Sequence, residues 1–207
     1  TAVIATIKPV PTLTFANANP LVCGENSIID LQASASNEQV YLIDENFENG
    51  LGSFTNKNIA SPDATKTNWQ TQSSTYVPAY PTFPVWYPAI SSGFGTNKFA
   101  MSTSDVVAGG ITFGKVESAL ESATVNTTGF LNLSLSFKIY FSSYSDANSA
   151  SVEFVNVEIS TNGGTTWVAT PIVQYLGDVG IGTQFVTPPN FNLNAYIGIT
   201  SLKIRIE

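Results

Sequence analysis

Between residues 131 and 141 the chain reads LNLSLSFKIYF. Leu131, Leu133, Leu135, Phe137, Ile139 and Phe141 alternate with Asn132, Ser134, Ser136, Lys138 and Tyr140. A period of two sustained over this length predicts a long strand with one buried face. The run 152–160, VEFVNVEIS, sets Val155, Val157 and Ile159 on one face. It leads into TNGGTTW, where Asn162-Gly163 is a strong hairpin signal. At 202–207, LKIRIE, the same alternation turns Leu202, Ile204 and Ile206 inward and Lys203, Arg205 and Glu207 outward.

The earlier part of the chain is less regular. AVIATIKPVP at 2–11 reads as a short strand closed by Pro9 and Pro11. Proline cannot donate into a ladder, so the pair marks an edge or a linker. Residues 12–15 and 27–34 are two further strand candidates around a turn-rich stretch. Two or three strands in so short a span are too few for a sandwich of their own. From Val40 the texture changes: VYLIDENF at 40–47 is strand-like and runs into the turn Asn49-Gly50. A long polar region follows, and 98–104 and 111–118 are plausible strands. No stretch carries a helical period with caps at both ends; VESALESA at 116–123 comes nearest. Long strands, wide loops and few helices predict an all-β chain, a jelly-roll β-sandwich over 40–207 preceded by a partial sandwich segment over 1–39.

Composition sharpens this picture. Hydrophobic residues make up 43% of the 207 positions but charged residues only 11%, under half the usual share. Ser, Thr and Asn fill nearly a third of the chain, which suits an extracellular β-protein. The net charge of −7 argues against nucleic acid, since no Lys/Arg stripe is present to release phosphate counterions. No apolar run is long enough to predict membrane insertion of this segment. The chain has no histidine, which removes Ser-His-Asp and Cys-His catalysis and every His-ligated metal site. Cys23 is the single cysteine, so a disulfide partner would lie outside this sequence. With no initiator Met, and with an alternating pattern running up to Glu207, the expectation is a piece of a longer protein.

ENFENGLGSF at 45–54, GFGTNKFAMSTSD at 93–105, EFVNVEISTNGGTTW at 153–167 and LKIRIE at 202–207 occur in that order. In this the chain resembles the MAM-like, choice-of-anchor and cleaved-adhesin jelly-roll modules of giant Bacteroidota cell-surface proteins. The resemblance covers residues 40–207, and ISTNGGTTW is its most specific part. VCGENSIIDL at 22–31 is similar to the start of the Ig-like repeats that accompany such modules, which implies a partial Ig-like segment over 1–39. There the Cys pairs within its own repeat, whereas here no second Cys follows. The resemblance implies a non-enzymatic structural or adhesive module, exported by type IX secretion. The protein would be attached to the outer membrane through a region outside this sequence, as in gliding-motility adhesins. Its partners would be surface glycans or other cell-surface proteins, with neighbouring domains of the same long chain. A carbohydrate-binding module attached to a secreted enzyme is the alternative.

Three groups of residues are candidate sites. Asp44, Glu45 and Glu48 invite a catalytic reading, but adjacent acids on a strand point to opposite faces. Asp44 and Glu45 are therefore expected on the surface and Phe47 in the core. Calcium, which takes six to eight oxygen ligands, fits better. In jelly rolls of the resembled group, the Glu after the first strand's aromatic is commonly a calcium ligand, which here implies Glu48. Asp105 and Glu153 are further metal candidates, with solvated rim acids as the other reading. Finally, YVPAYPTFPVWYP at 76–88 interleaves prolines with aromatics. Tyr80, Trp86 and Tyr87 could stack on a sugar ring, or else pack against the open end of the core.

Overall fold

The computed structural model describes residues 2–9, 12–15, 33–36, 39–60, 67–76, 89–91, 98–103, 117–143 and 153–207, the first three stretches as backbone only. The strands are β1 (Ala2–Pro9), β2 (Thr12–Phe15), β3 (Ala33–Ser36), β4 (Val40–Glu45), β5 (Phe54–Ala60), β6 (Gln70–Ser73) and β7 (Lys98–Met101). They continue with β8 (Glu117–Ser122), β9 (Phe130–Lys138), β10 (Val155–Ser160), β11 (Val173–Tyr175), β12 (Phe191–Asn192) and β13 (Lys203–Ile206). The helical element among the described residues is a 3₁₀ turn, Asn194–Tyr196. The chain is all-β, and every strand pair described is antiparallel.

Two sheets form the sandwich. One is four-stranded in the order β12-β9-β1-β4, the other five-stranded in the order β11-β10-β13-β8-β5. Ile43, Leu133, Leu135 and Phe137 from the first meet Leu120, Val157, Ile159, Ile204 and Ile206 from the second in one core. Burying side chains of this size contributes about 1.5–3 kcal/mol each. The alternation at 131–141 behaves as the pattern predicts. Leu133, Leu135, Phe137 and Ile139 are buried, while Leu131, at the strand's start, is 54% exposed. Past Lys138 the strand continues as single bridges, from Ile139 to Val186 and from Phe141 to Val179.

Strand β1 departs from expectation. It is an inner strand, paired with β9 from Ala2↔Lys138 to Pro9↔Phe130 and with β4 from Val3↔Glu45 to Ile7↔Val40. Pro9 is tolerated because it comes last, where the register shifts after Lys8, so no inner ladder needs its missing N–H. Residues 2–9 thus share a hydrogen-bonded sheet with strands of the 40–207 segment. Strands β2 and β3 pair with each other, as do β6 and β7.

Turn chemistry explains the ISTNGGTTW stretch. Gly163 and Gly164 take φ of 72° and 91°, a left-handed backbone that glycine adopts without strain. The Ser160 hydroxyl accepts the Gly164 amide at 2.8 Å, and Asn162 Oδ1 accepts the Thr166 amide at 2.9 Å. The chain then returns along β10, with Val168 N–H donating to the Ile159 carbonyl and β11 closing the hairpin. At the same end of the sandwich, Asn194 Oδ1 accepts the Leu133 amide at 2.7 Å. The buried Thr127 hydroxyl donates to the Tyr196 carbonyl at 2.6 Å.

Candidate functional site

The acidic turn after β4 is built from its own backbone. Phe47 is fully buried with φ of 63°, a left-handed conformation that costs a non-glycine residue about 1–2 kcal/mol. Glu45 stabilises it: Oε1 accepts the Phe47 amide at 2.9 Å and Oε2 accepts the Ser53 amide at 3.3 Å. The ring of Phe47 packs against Phe54, with centroids 5.8 Å apart. Phe47 is therefore the core anchor that the sequence predicts. Glu45, expected on the surface, is half-buried and holds the turn closed; Asp44 is exposed. Carboxylates that hold two backbone donors are satisfied in place, so burial of Glu45 needs no external ligand.

Glu48 lies next to these groups and reaches β7. Its Oε1 accepts the Lys98 amide at 2.8 Å, and its carbonyl accepts the Lys98 ammonium at 2.9 Å. Asn46 Oδ1 in turn accepts the Glu48 amide at 3.1 Å. A calcium ion would need several of these oxygens at once, yet each already accepts an internal donor and a positive ammonium stands among them. The protein's own donors therefore compete with a calcium ion for these oxygens. Glu153 is half-buried just ahead of β10 and engaged within the chain. Asp105, Tyr80, Trp86, Tyr87 and Cys23 lie outside the described residues. Among the described residues no group of three or more His, Cys, Asp or Glu side chains comes together to hold a metal. The aromatic neighbourhood that is described joins Phe185 to Phe99, edge-on at 5.8 Å, and to Tyr140, stacked at 6.0 Å.

A second charged cluster occupies the outer face of the five-stranded sheet, and of its members the sequence pattern placed only Lys203, Arg205 and Glu207 as outward-facing. Register places Arg205 between Glu158 on β10 and Glu121 on β8. Arg205 Nε donates to Glu158 at 2.5 Å, its Nη2 lies 2.6 Å from Glu207, and its guanidinium rests 4.5 Å over the Trp167 ring. Lys203 pairs with Glu121 at 3.2 Å. Cross-strand opposite charges and a stacked guanidinium make a cohesive lattice. Glu207 is pushed up to about 7, first by burial, then by a hydrogen bond with the Glu117 carboxyl; Arg205 opposes this and the charges of Glu158 and Glu117 add to it. The alternation of Lys203, Arg205 and Glu207 was the available signal, but the acids opposite them depend on a register that sequence alone does not supply.

Trp69 is structural. It is 8% exposed, and its indole N–H donates to the Ser118 carbonyl at 3.3 Å. Its own carbonyl accepts the Asn56 side-chain amide. Together with the Ser102 hydroxyl, which donates to the Thr67 carbonyl at 2.7 Å and meets Ser118 Oγ at 2.9 Å, this joins β5, β7 and β8. Among the described residues no helix is long and apolar enough to cross a membrane. Compared with known protein families, curated proteins and solved structures, the chain matches none of them.

Proposed function

We propose that the chain is a non-enzymatic structural and adhesive module of a large secreted cell-surface adhesin, of the gliding-motility type exported by type IX secretion. The jelly-roll and Ig-like resemblance supplies the class. The observation that carries the reading is the interlock of the strands. β1 sits between β4 and β9, and β13 between β10 and β8, so each is held along both edges. A module built to transmit load benefits from such placement, because neither strand leaves its sheet without breaking two ladders. Support also comes from the acidic turn, where the Glu45 and Glu48 carboxylates hold backbone donors. The sequence, lacking histidine, offers no imidazole base. Surface glycans or other cell-surface proteins would be the partners, at the outer-membrane face of the cell.

A glycan array with the full chain tests the adhesive part. Micromolar binding lost in Trp86→Ala, with an unchanged melting midpoint, would shift the reading to a carbohydrate-binding module. Binding that Trp86→Ala retains is the result expected of an adhesive module, and absence of binding in both chains would count against surface glycans as partners and leave the structural role alone.

A further inference from the structure

We propose that Lys98 is the resident cation of the acidic turn, fastening residues 45–54 to β7 so that this junction is held closed without a metal. Asp44, Glu45 and Glu48 bring three negative charges into five residues. Around Glu45 and Glu48 the oxygens are engaged by N–H donors. Glu45 holds the Phe47 and Ser53 amides, Asn46 the Glu48 amide, and Glu48 the Lys98 amide and ammonium.

The contact with Lys98 is reciprocal and spans fifty positions of sequence. One residue gives its backbone N–H to the Glu48 carboxylate and its side-chain ammonium to the Glu48 carbonyl. A lysine ammonium is a compact point charge on a flexible stem, suited to a carbonyl oxygen of the sort that also binds calcium. Lys98 is half-buried, so the pair is screened less than a surface contact. It stands at the first residue of β7, and thus the clamp docks the β6–β7 ribbon against the turn that carries Phe47. A left-handed Phe47 persists where its surroundings over-determine it, and the clamp is one of those constraints.

Thermal melts of the full chain decide the matter, run in EDTA and in millimolar calcium chloride. The variants are Lys98→Met, Glu48→Gln and the exposed-strand control Lys57→Met. The wild-type midpoint is expected to be the same in both buffers, and Lys98→Met to melt about 3–6 °C below Lys57→Met. Glu48→Gln keeps an oxygen for the Lys98 amide and is expected to show no calcium response. A wild-type midpoint that rises in calcium and no longer does so in Glu48→Gln overturns the proposal. So does a Lys98→Met midpoint equal to that of the control. If Lys98→Met fails to fold, the wild-type and Glu48→Gln comparison still decides whether a metal acts there.

Discussion

Phe47 shows how much one residue's backbone depends on its neighbours. Its φ of 63° is held by the Glu45 carboxylate, and that carboxylate leaves no space above Gly52. A Cβ at Gly52, itself at φ of 57°, would lie 1.5 Å from Glu45 Oε2, whereas Gly50, at φ of 101°, faces open space. Gly50→Ala is expected to cost about 1–2 kcal/mol from backbone conformation alone. Gly52→Ala adds displacement of Glu45 and loss of its hydrogen bonds, about 2–3 kcal/mol more. Urea unfolding of the two variants checks the ranking, and equal losses would mean that Glu45 does not organise the turn. At this scale the sequence was half legible. An aromatic next to an Asn-Gly turn announces a core anchor, so Phe47 could be read directly. The role of Glu45 could not, because it depends on the chain turning back to bring the Ser53 amide onto a carboxylate eight positions earlier.

At the scale of elements, strands with one wet face were the ones that could be read. β9 and β13 alternate because one side meets the core and the other does not. β8 hides its pattern: from Ser118 to Ser122 every residue is buried, so VESALESA shows no two-residue alternation and, without being a helix prediction, came nearest to a helical period. β5, with FTNKNIA, was lost in a polar region because it is the edge strand of its sheet, where exposed polar residues and a lysine guard against further pairing. Glu207, the residue after β13, carries a pH dependence. The folded chain keeps the Glu207 proton up to about pH 7, and the unfolded chain releases it near the ordinary value of 4.5. Between these limits the folded state binds more protons, so this contribution falls as pH rises. It is fully present below the lower limit and absent above the upper one. Guanidinium unfolding across that window is expected to show wild type losing stability relative to Glu207→Gln as pH increases. A constant difference would mean that the Glu117–Glu207 carboxyl pair does not share a proton.

Across the whole molecule, the arrangement that matters most is also the one least legible in the sequence. AVIATIKPVP is readable as a strand, but its partners lie more than thirty and more than one hundred and twenty positions away. Local pattern does not encode such pairing. The two prolines suggested an edge or a linker, while the structure uses Pro9 as the last rung of an inner strand. With β1 between β4 and β9, residues 2–9 are mechanically part of the sandwich. Single-molecule stretching from the two ends of the chain measures this most directly. Unfolding is expected as one event that releases roughly 70 nm, at about 3.6 Å for each of some two hundred residues. A separate, earlier release of about 14 nm, the extended length of the first thirty-nine residues, would contradict the interlock and with it the load-bearing role.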